Sequence, residues 1–242
     1  MTVEKVRTIL ILAGGFGKRL RSAVPNLPKP LAPVANKPFL FHLLDNLIEQ
    51  GGRDFILLLH YQSELIKSSI SKYIDNSEAS NLSVRFAVEP KPFGTGGAIK
   101  YAINLFNIES SFLVVNGDTW LNEGLVKMSD SLVNSLAAIK IKDSSRYGTL
   151  EIVGDDIVNF KEKNKKISDG HINAGMYHLD PSIFKDFHSN EYFSLEADVF
   201  PLLAQRCKLK CVKLKTDFID IGVPDDYRRF CSWSEQGRMN EI

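Results

Sequence analysis

Surplus charge is what this chain lacks most plainly. Its 242 residues carry 30 Lys and Arg against 29 Asp and Glu, a formal +1 at neutral pH. That balance excludes a general nucleic-acid binder and a polybasic membrane anchor, both of which need an excess of cations. Long apolar runs are missing too. No window approaches the roughly 18 residues that cross a bilayer, and the run at 8–13 is too short for a signal-peptide core. Cysteine is scarce: Cys207, Cys211 and Cys231 are an odd number, which no closed disulfide framework uses. Cys207 and Cys211 have the spacing of half a zinc site but no second pair or neighbouring His, so free thiols and a cytoplasmic setting are expected. Repeats, low-complexity tracts and long linkers are absent as well. What remains is 44% hydrophobic and 24% charged, the composition of a globular chain with a real core.

The most informative stretch is 9–31, ILILAGGFGKRLRSAVPNLPKPL. It begins as a strand buried on both faces. Gly14, Gly15 and Gly17 then let the backbone turn tightly and bare its N–H groups, which suits phosphate oxygens. Lys18, Arg19, Arg21 and Lys29 add cations close by. The spacing is not that of a Walker A loop, since Gly17-Lys18 is followed by Arg19. Nor is it a dinucleotide fingerprint, since Leu20 stands where the last glycine is needed. A polyphosphate site is expected here, against the plainer reading of a turn with solvated charges.

Apolar periodicity outlines the rest. Helices are expected at 38–50, 63–74 and 96–106, alternating with strands at 55–60, 84–88 and 112–116. Such alternation implies parallel β-α-β units, with ligands at the carboxyl ends of the strands. The second half is less regular. It offers a helix near 125–132, strands at 137–141, 172–179, 209–214 and 218–222, and a hairpin of 149–153 with 156–160. Ser194 is placed to cap a helix that Pro201 must kink or end. The expected fold is α/β: a mostly parallel, Rossmann-like central sheet flanked by helices, with a smaller mixed β lobe. One domain is expected over 1–242, with halves of about 1–120 and 121–242.

Acids occupy two of the strand ends. Asp118 follows the apolar run 112–116, and Asp220 lies between Ile219 and Ile221. An acid in such company wants a strong partner, and a divalent cation bridging phosphates needs one or two carboxylates. A simple turn aspartate is the alternative at 118. Glu89 precedes a proline turn and the glycine-rich 94–97, where close approach of a flat base is expected. A carboxylate is acceptor-only, whereas guanine presents two adjacent donors, so Glu89 leans toward guanine if it meets a base at all. No Ser, Cys or His arrangement suggests a covalent intermediate.

Together, Gly14-Gly15-Phe16-Gly17-Lys18-Arg19-Leu20 and Pro28-Lys29-Pro30 resemble the G-G-x-G-T-R-L…P-K-P signature of the sugar-1-phosphate nucleotidyltransferases. Lys18 replaces the usual Thr. Arg146-Tyr147-Gly148, Glu162-Lys163, Asn173-Ala174-Gly175 and the SLEAD stretch at 194–198 extend the resemblance toward the guanylyl-transferring members, those acting on a heptose or a mannose 1-phosphate. The resemblance implies attack of a sugar 1-phosphate on the α-phosphorus of GTP, with release of pyrophosphate. It implies Leu12, Ala13, Gly14, Gly15, Gly17, Lys18, Glu89, Gly94 and Thr95 around the nucleotide, and Gly148, Glu162, Lys163, Asn173 and Glu196 around the sugar phosphate. Arg19, Lys29 and Asp118 would be catalytic, with Mg²⁺ held by Asp118 and Asp220. Lys163 as a solvated charge and Glu196 as a helix-start acid stay open beside these roles, as does a homo-oligomer beside a monomer. A binding module lacking turnover is the rival class; Arg19, Lys29, Asp118 and Asp220 argue against it.

Overall fold

The computed structural model describes residues 7–75, 81–144, 146–161 and 169–237. The chain begins with β1 (Ile9–Leu12), a single 3-10 turn (Lys29–Leu31), and β2 (Pro33–Val34) paired with β3 (Lys37–Pro38), which leads into α1 (Phe39–Glu49). Then come β4 (Asp54–Leu59), α2 (Ser63–Asp75), β5 (Ser83–Val88), α3 (Gly94–Phe106) and β6 (Phe112–Asn116). The second half holds β7 (Thr119–Leu121), α4 (Leu125–Ser129), β8 (Ser135–Ile141), β9 (Thr149–Val153), β10 (Asp156–Lys161) and β11 (Gly170–Leu179). α5 (Phe200–Gln205), β12 (Lys210–Leu214), β13 (Phe218–Asp220) and α6 (Pro224–Glu235) close the chain.

Among the described residues, nine strands form one sheet in the order β5-β4-β1-β6-β11-β8-β12-β10-β9. The first four are parallel, as the β-α-β alternation implies. β11 then runs antiparallel to both β6 and β8, and the β9–β10 hairpin closes the far edge. The mixed portion is therefore a continuation of the parallel sheet rather than a sheet of its own. The chain leaves β1 toward β4 and β5 on one side and returns to β6 on the other. The carboxyl ends of β1 and β6 thus flank a point where strand order reverses, the usual crevice for a ligand in such sheets.

The unbroken apolar runs follow from burial on both sides. Ile9 and Ile11 of β1, with Phe55, Leu57 and Leu59 of β4, pack under Phe39, Leu43 and Leu47 of α1 and Ile66 and Ile70 of α2. Their neighbours Leu10, Ile56 and Leu58 face the opposite layer, where Ile99 and Ala102 of α3 meet Tyr177 and Phe200. A period of two with both phases apolar is what a central parallel strand requires. Among the described residues, no helix is long and apolar enough to cross a membrane.

The helix expected before Pro201 is split. Ser194 Oγ accepts from the N–H groups of Glu196 and Ala197, a wide π-turn covers Leu195–Val199, and α5 restarts with Pro201 in its first turn. Proline has no N–H to lose there.

Candidate active site

The glycine turn after β1 is held by its own backbone and by the strand beside it. Ala13 N–H donates to Leu58 O at 3.0 Å, and Leu20 N–H to Gly17 O at 3.0 Å. Gly17 has φ +59°, and a Cβ there would stand 3.0 Å from Lys29 Cβ. The left-handed turn and the close passage of Lys29 both call for glycine. Leu12, Ala13, Gly15, Gly17, Lys18, Arg19, Lys29, Gly117, Asp118 and Gly222 line one crevice of about 200 Å³. Lys18 and Arg19 are exposed on its rim, and Lys18 Nζ stands 5.7 Å from the Phe16 ring centroid.

At the crevice floor, the Lys29 side chain is 10% exposed. Its ammonium hydrogen-bonds Asp118 Oδ2 and lies 3.6 Å from Asp220 Oδ1. The two aspartates meet because β7 pairs antiparallel with β13, with Thr119 opposite Asp220. Ile221 N–H then donates to Asp118 O at 2.9 Å. β7 is a three-residue strand, too short for apolar periodicity to reveal. Gly222 closes the stretch 218–222, where the sequence singles out Asp220 and assigns the glycine no role. Its N–H donates to Asp220 Oδ1 at 2.6 Å, and a Cβ there would be 2.7 Å from that oxygen. Burial, and then the Asp118 carboxylate, push Asp220 above the ordinary carboxylate range; Lys29, the Gly222 N–H and Arg19 pull the other way. Two acids that repel one another and converge on a cation fit a hard divalent ion completed by waters and phosphate oxygens. Among the described residues no cluster of three or more His, Cys, Asp and Glu offers an all-protein cage.

Glu89, at the end of β5, is 7% exposed, and its Oε1 accepts from Phe93 N–H at 3.0 Å. One lone pair of Oε1 is therefore committed to the turn, and Oε2 remains for another donor. Burial pushes its pKa up to about 7, against the Phe93 N–H and His60. His60 ties this corner to the glycine turn: Nδ1 lies 3.1 Å from Glu89 O, and its ring meets Phe16 edge-on at 5.7 Å.

The glycines of α3 serve the protein's own chain. Gly96 and Gly97 N–H groups donate to Phe193 O at 3.1 and 3.3 Å. A Cβ on Gly96 would lie 2.4 Å from the Phe193 ring, and one on Gly97 2.7 Å from Glu191 O. The close neighbour that these glycines admit is the 191–193 segment, where the sequence suggests a base. Beside it, Thr95 Oγ1 donates to Glu196 Oε2 at 2.9 Å and accepts from Leu195 N–H at 2.9 Å. Residues expected on the nucleotide side and on the sugar side thus share a hydrogen bond. Glu196 also accepts from Ser194 Oγ at 2.8 Å.

The Asn173 side chain has structural work as well. Its Oδ1 accepts from Gly175 N–H at 2.9 Å and its Nδ2 donates to Tyr177 Oη at 3.0 Å, across the irregular stretch of β11. Tyr177 is fully buried, feels the charges of both Glu196 and Asp118, and is held well above its ordinary pKa by burial. Asn116 Oδ1, at the end of β6, is buried with no hydrogen-bond partner among the described residues. Gly148 is exposed in the β8–β9 loop. The expected Glu162 and Lys163 lie outside the described residues.

A crevice at a strand-order switch, with a bare glycine turn, a buried lysine and two facing aspartates, has the parts that an enzyme of the nucleotidyl-transferring class needs. The chain belongs to the nucleotidyl transferase family, which it matches over residues 8–236. It is 38% identical over 225 residues to D-glycero-alpha-D-manno-heptose 1-phosphate guanylyltransferase of Aneurinibacillus thermoaerophilus, covering 91% of this chain and 95% of that one. The protein of the same description from Campylobacter jejuni is 37% identical, covering 91% and 97%. Among solved structures, HddC from Yersinia pseudotuberculosis, complexed with GMP-PN, superposes with a TM-score of 0.79 at 35% identity, covering 93% of this chain and 98% of that one. Members of the family generally use a divalent metal.

Proposed function

We propose that this chain transfers GMP from GTP to a D-glycero-D-manno-heptose 1-phosphate, releasing pyrophosphate and forming a nucleotide diphosphate heptose, in the cytoplasm. The observation that carries the reading is the convergence of Gly17, Lys29, Asp118 and Gly222 on one crevice, with Asp220 on the same ammonium. The relatives' names supply the guanylyl group and the heptose. Two anions must approach each other, so the protein's task is to neutralise charge and align the reactants. Arg19 stabilises the leaving phosphates, Lys29 the α-phosphate and Lys163 the attacking phosphate. A sugar-phosphate oxygen forms the new bond to the α-phosphorus as the bond to the bridging oxygen breaks. No general base is required, because the attacking phosphate is already ionised. Asp118 and Asp220 would hold the divalent cation, Mg²⁺ in this reading, which withdraws charge from the nucleotide phosphates. Pyrophosphate release measured across five nucleoside triphosphates, with heptose, mannose and glucose 1-phosphates, tests the whole assignment. Absence of turnover with GTP and every sugar would overturn it.

The two phosphates are expected to separate by mutation. Lys163→Ala should chiefly raise KM for the sugar phosphate, and Arg19→Ala should chiefly impair use of the triphosphate. Equal effects of each change on both substrates would mean the roles are divided wrongly.

Glu89 is the proposed base reader. With Oε1 on Phe93 N–H, its second oxygen remains for a guanine donor. Opposite uracil it faces one donor flanked by repelling carbonyls, a mismatch of roughly 1–3 kcal/mol or tenfold to a hundredfold. GTP should therefore be preferred, and Glu89→Gln should narrow its lead over UTP. Since burial raises this carboxyl to about 7, it protonates on acidification through that value and the acceptor is lost. The ratio of kcat/KM for GTP over UTP, which cancels titration of the shared phosphates, is expected to fall from pH 8 to pH 6. A flat ratio would remove Glu89 from base recognition.

A further inference from the structure

We infer that the ion pair between Asp226 and Arg146 is a latch that holds the Tyr147-Gly148 turn of the β8–β9 loop beside Asp220, and so positions the sugar-phosphate side of the crevice. The consequence for catalysis rests on the nucleotidyl-transfer reading above; the latch itself rests on geometry alone.

Asp225 and Asp226 both stand in the first turn of α6, where either carboxylate complements the positive end of the helix. Their surroundings differ. Asp225 is exposed and pairs locally with Arg228, one turn on, at 2.5 Å. Asp226 is 2% exposed and receives two guanidinium groups, Arg146 Nη2 at 2.5 Å and Arg229 Nη1 at 3.2 Å. The helix dipole accounts for both aspartates equally and does not explain why one is buried against a loop 80 residues away in sequence. A buried carboxylate must be paired, and a guanidinium at the root of a loop ties that loop to the helix.

From Arg146 the contacts lead toward Asp220. Its guanidinium carbon lies 5.7 Å from the centroid of the Tyr147 ring. Tyr147 meets Phe218 edge-on at 6.0 Å, and Phe218 begins the short strand that ends at Asp220. Tyr147 and Arg146 both sense the Asp220 charge. Arg146 is therefore a positioning residue: Asp226 fixes it, it fixes the turn, and the turn holds Tyr147 against Phe218 at the start of the Asp220 strand. Nothing in the spacing of the sequence pairs residue 146 with residue 226.

Amide hydrogen exchange over 146–150 and steady-state kinetics, both on the full chain, test the latch. Arg146→Ala leaves Asp226 paired with Arg229 and so preserves the fold; Asp226→Asn cuts the pair from the other side. Both should speed exchange over 146–150 roughly tenfold while leaving β1 and β4 protected. Both should also raise KM for the sugar 1-phosphate about tenfold, with KM for GTP and kcat within about twofold. Asp225→Asn removes the same helix-start charge without touching the loop, and should change none of these. Unaltered exchange in Arg146→Ala overturns the latch whether or not turnover is seen. Loop release with equal losses for both substrates overturns its assignment to the sugar-phosphate side. A wild-type protein without turnover would sink the proposed function, and hydrogen exchange would still decide the latch on its own.

Discussion

Asp118→Asn is expected to lower kcat by about a hundredfold to a thousandfold, the cost typical of removing one preorganised electrostatic group from an active site. The change is nearly isosteric. The backbone that builds the site stays in place, because Ile221 N–H bonds the Asp118 carbonyl and not its side chain. Lys29 keeps a second carboxylate within 3.6 Å in Asp220. What disappears is one negative charge of the pair that would hold the divalent cation, leaving a neutral amide as a weak ligand. Thermal unfolding should therefore stay close to wild type while turnover collapses. Raising the metal concentration should recover part of the loss. Near-normal activity in a well-folded Asp118→Asn protein would remove the aspartate from the chemistry.

Lys29→Met should be the other large effect, and it should appear in stability as well as in rate. The methionine fills the stem's space beneath Gly17 but offers no ammonium to Asp118 and Asp220. Loss of charge stabilisation at the α-phosphate is expected to reduce kcat about a hundredfold or more. In the metal-free protein the two carboxylates then repel each other with no cation between them. A buried acceptor left unmatched costs about 1–3 kcal/mol, and partial exposure of both acids puts the loss toward the lower end. The sign of its pH dependence follows from Asp220, which burial and Asp118 already raise above its ordinary value, with Lys29 opposing them. An acid with a raised folded-state pKa destabilises the fold once ionised, so its cost grows as pH rises from the unfolded value through the folded one and persists above. Removing Lys29 enlarges that cost. The melting-temperature deficit of Lys29→Met should thus be greatest where Asp220 is fully ionised, shrink on acidification as Asp220 takes up its proton, and narrow when Mg²⁺ is added. A deficit that grows on acidification would show that Lys29 does not offset these two carboxylates.

Most of the elements were legible along the chain because their causes are local. Both phases of β1 and β4 are apolar, which marks strands covered on two faces. The i, i+3, i+4 spacing of Leu40, Leu43, Leu44 and Leu47 marks one buried face of α1. Ser194 and Pro201 announced a helix start and its break through hydrogen-bonding chemistry that needs only a few neighbouring residues. The glycine turn and its cations were legible for the same reason, since such a turn is built from consecutive residues.

Contacts between distant segments were a different matter. Lys29 and Asp118 are 89 residues apart, and only the pairing of β7 with β13 sets Asp220 beside them. A three-residue strand has too few positions to show a period of two, so its ladder partner cannot be read from spacing. The glycines at 96 and 97 suggested open room for a ligand; in the fold the room is filled by Glu191 and Phe193, because glycine makes space without saying what will occupy it. Glu89 was recognisable as an acceptor by residue type, while its bond to Phe93 N–H and its burial were not. Residue chemistry and short periods thus specified the strands, the helices and the glycine turn. Tertiary packing decided which acids share a cation, which glycines are covered, and which aspartate of α6 reaches the loop, since each of these depends on chain segments that meet only after the sheet has formed.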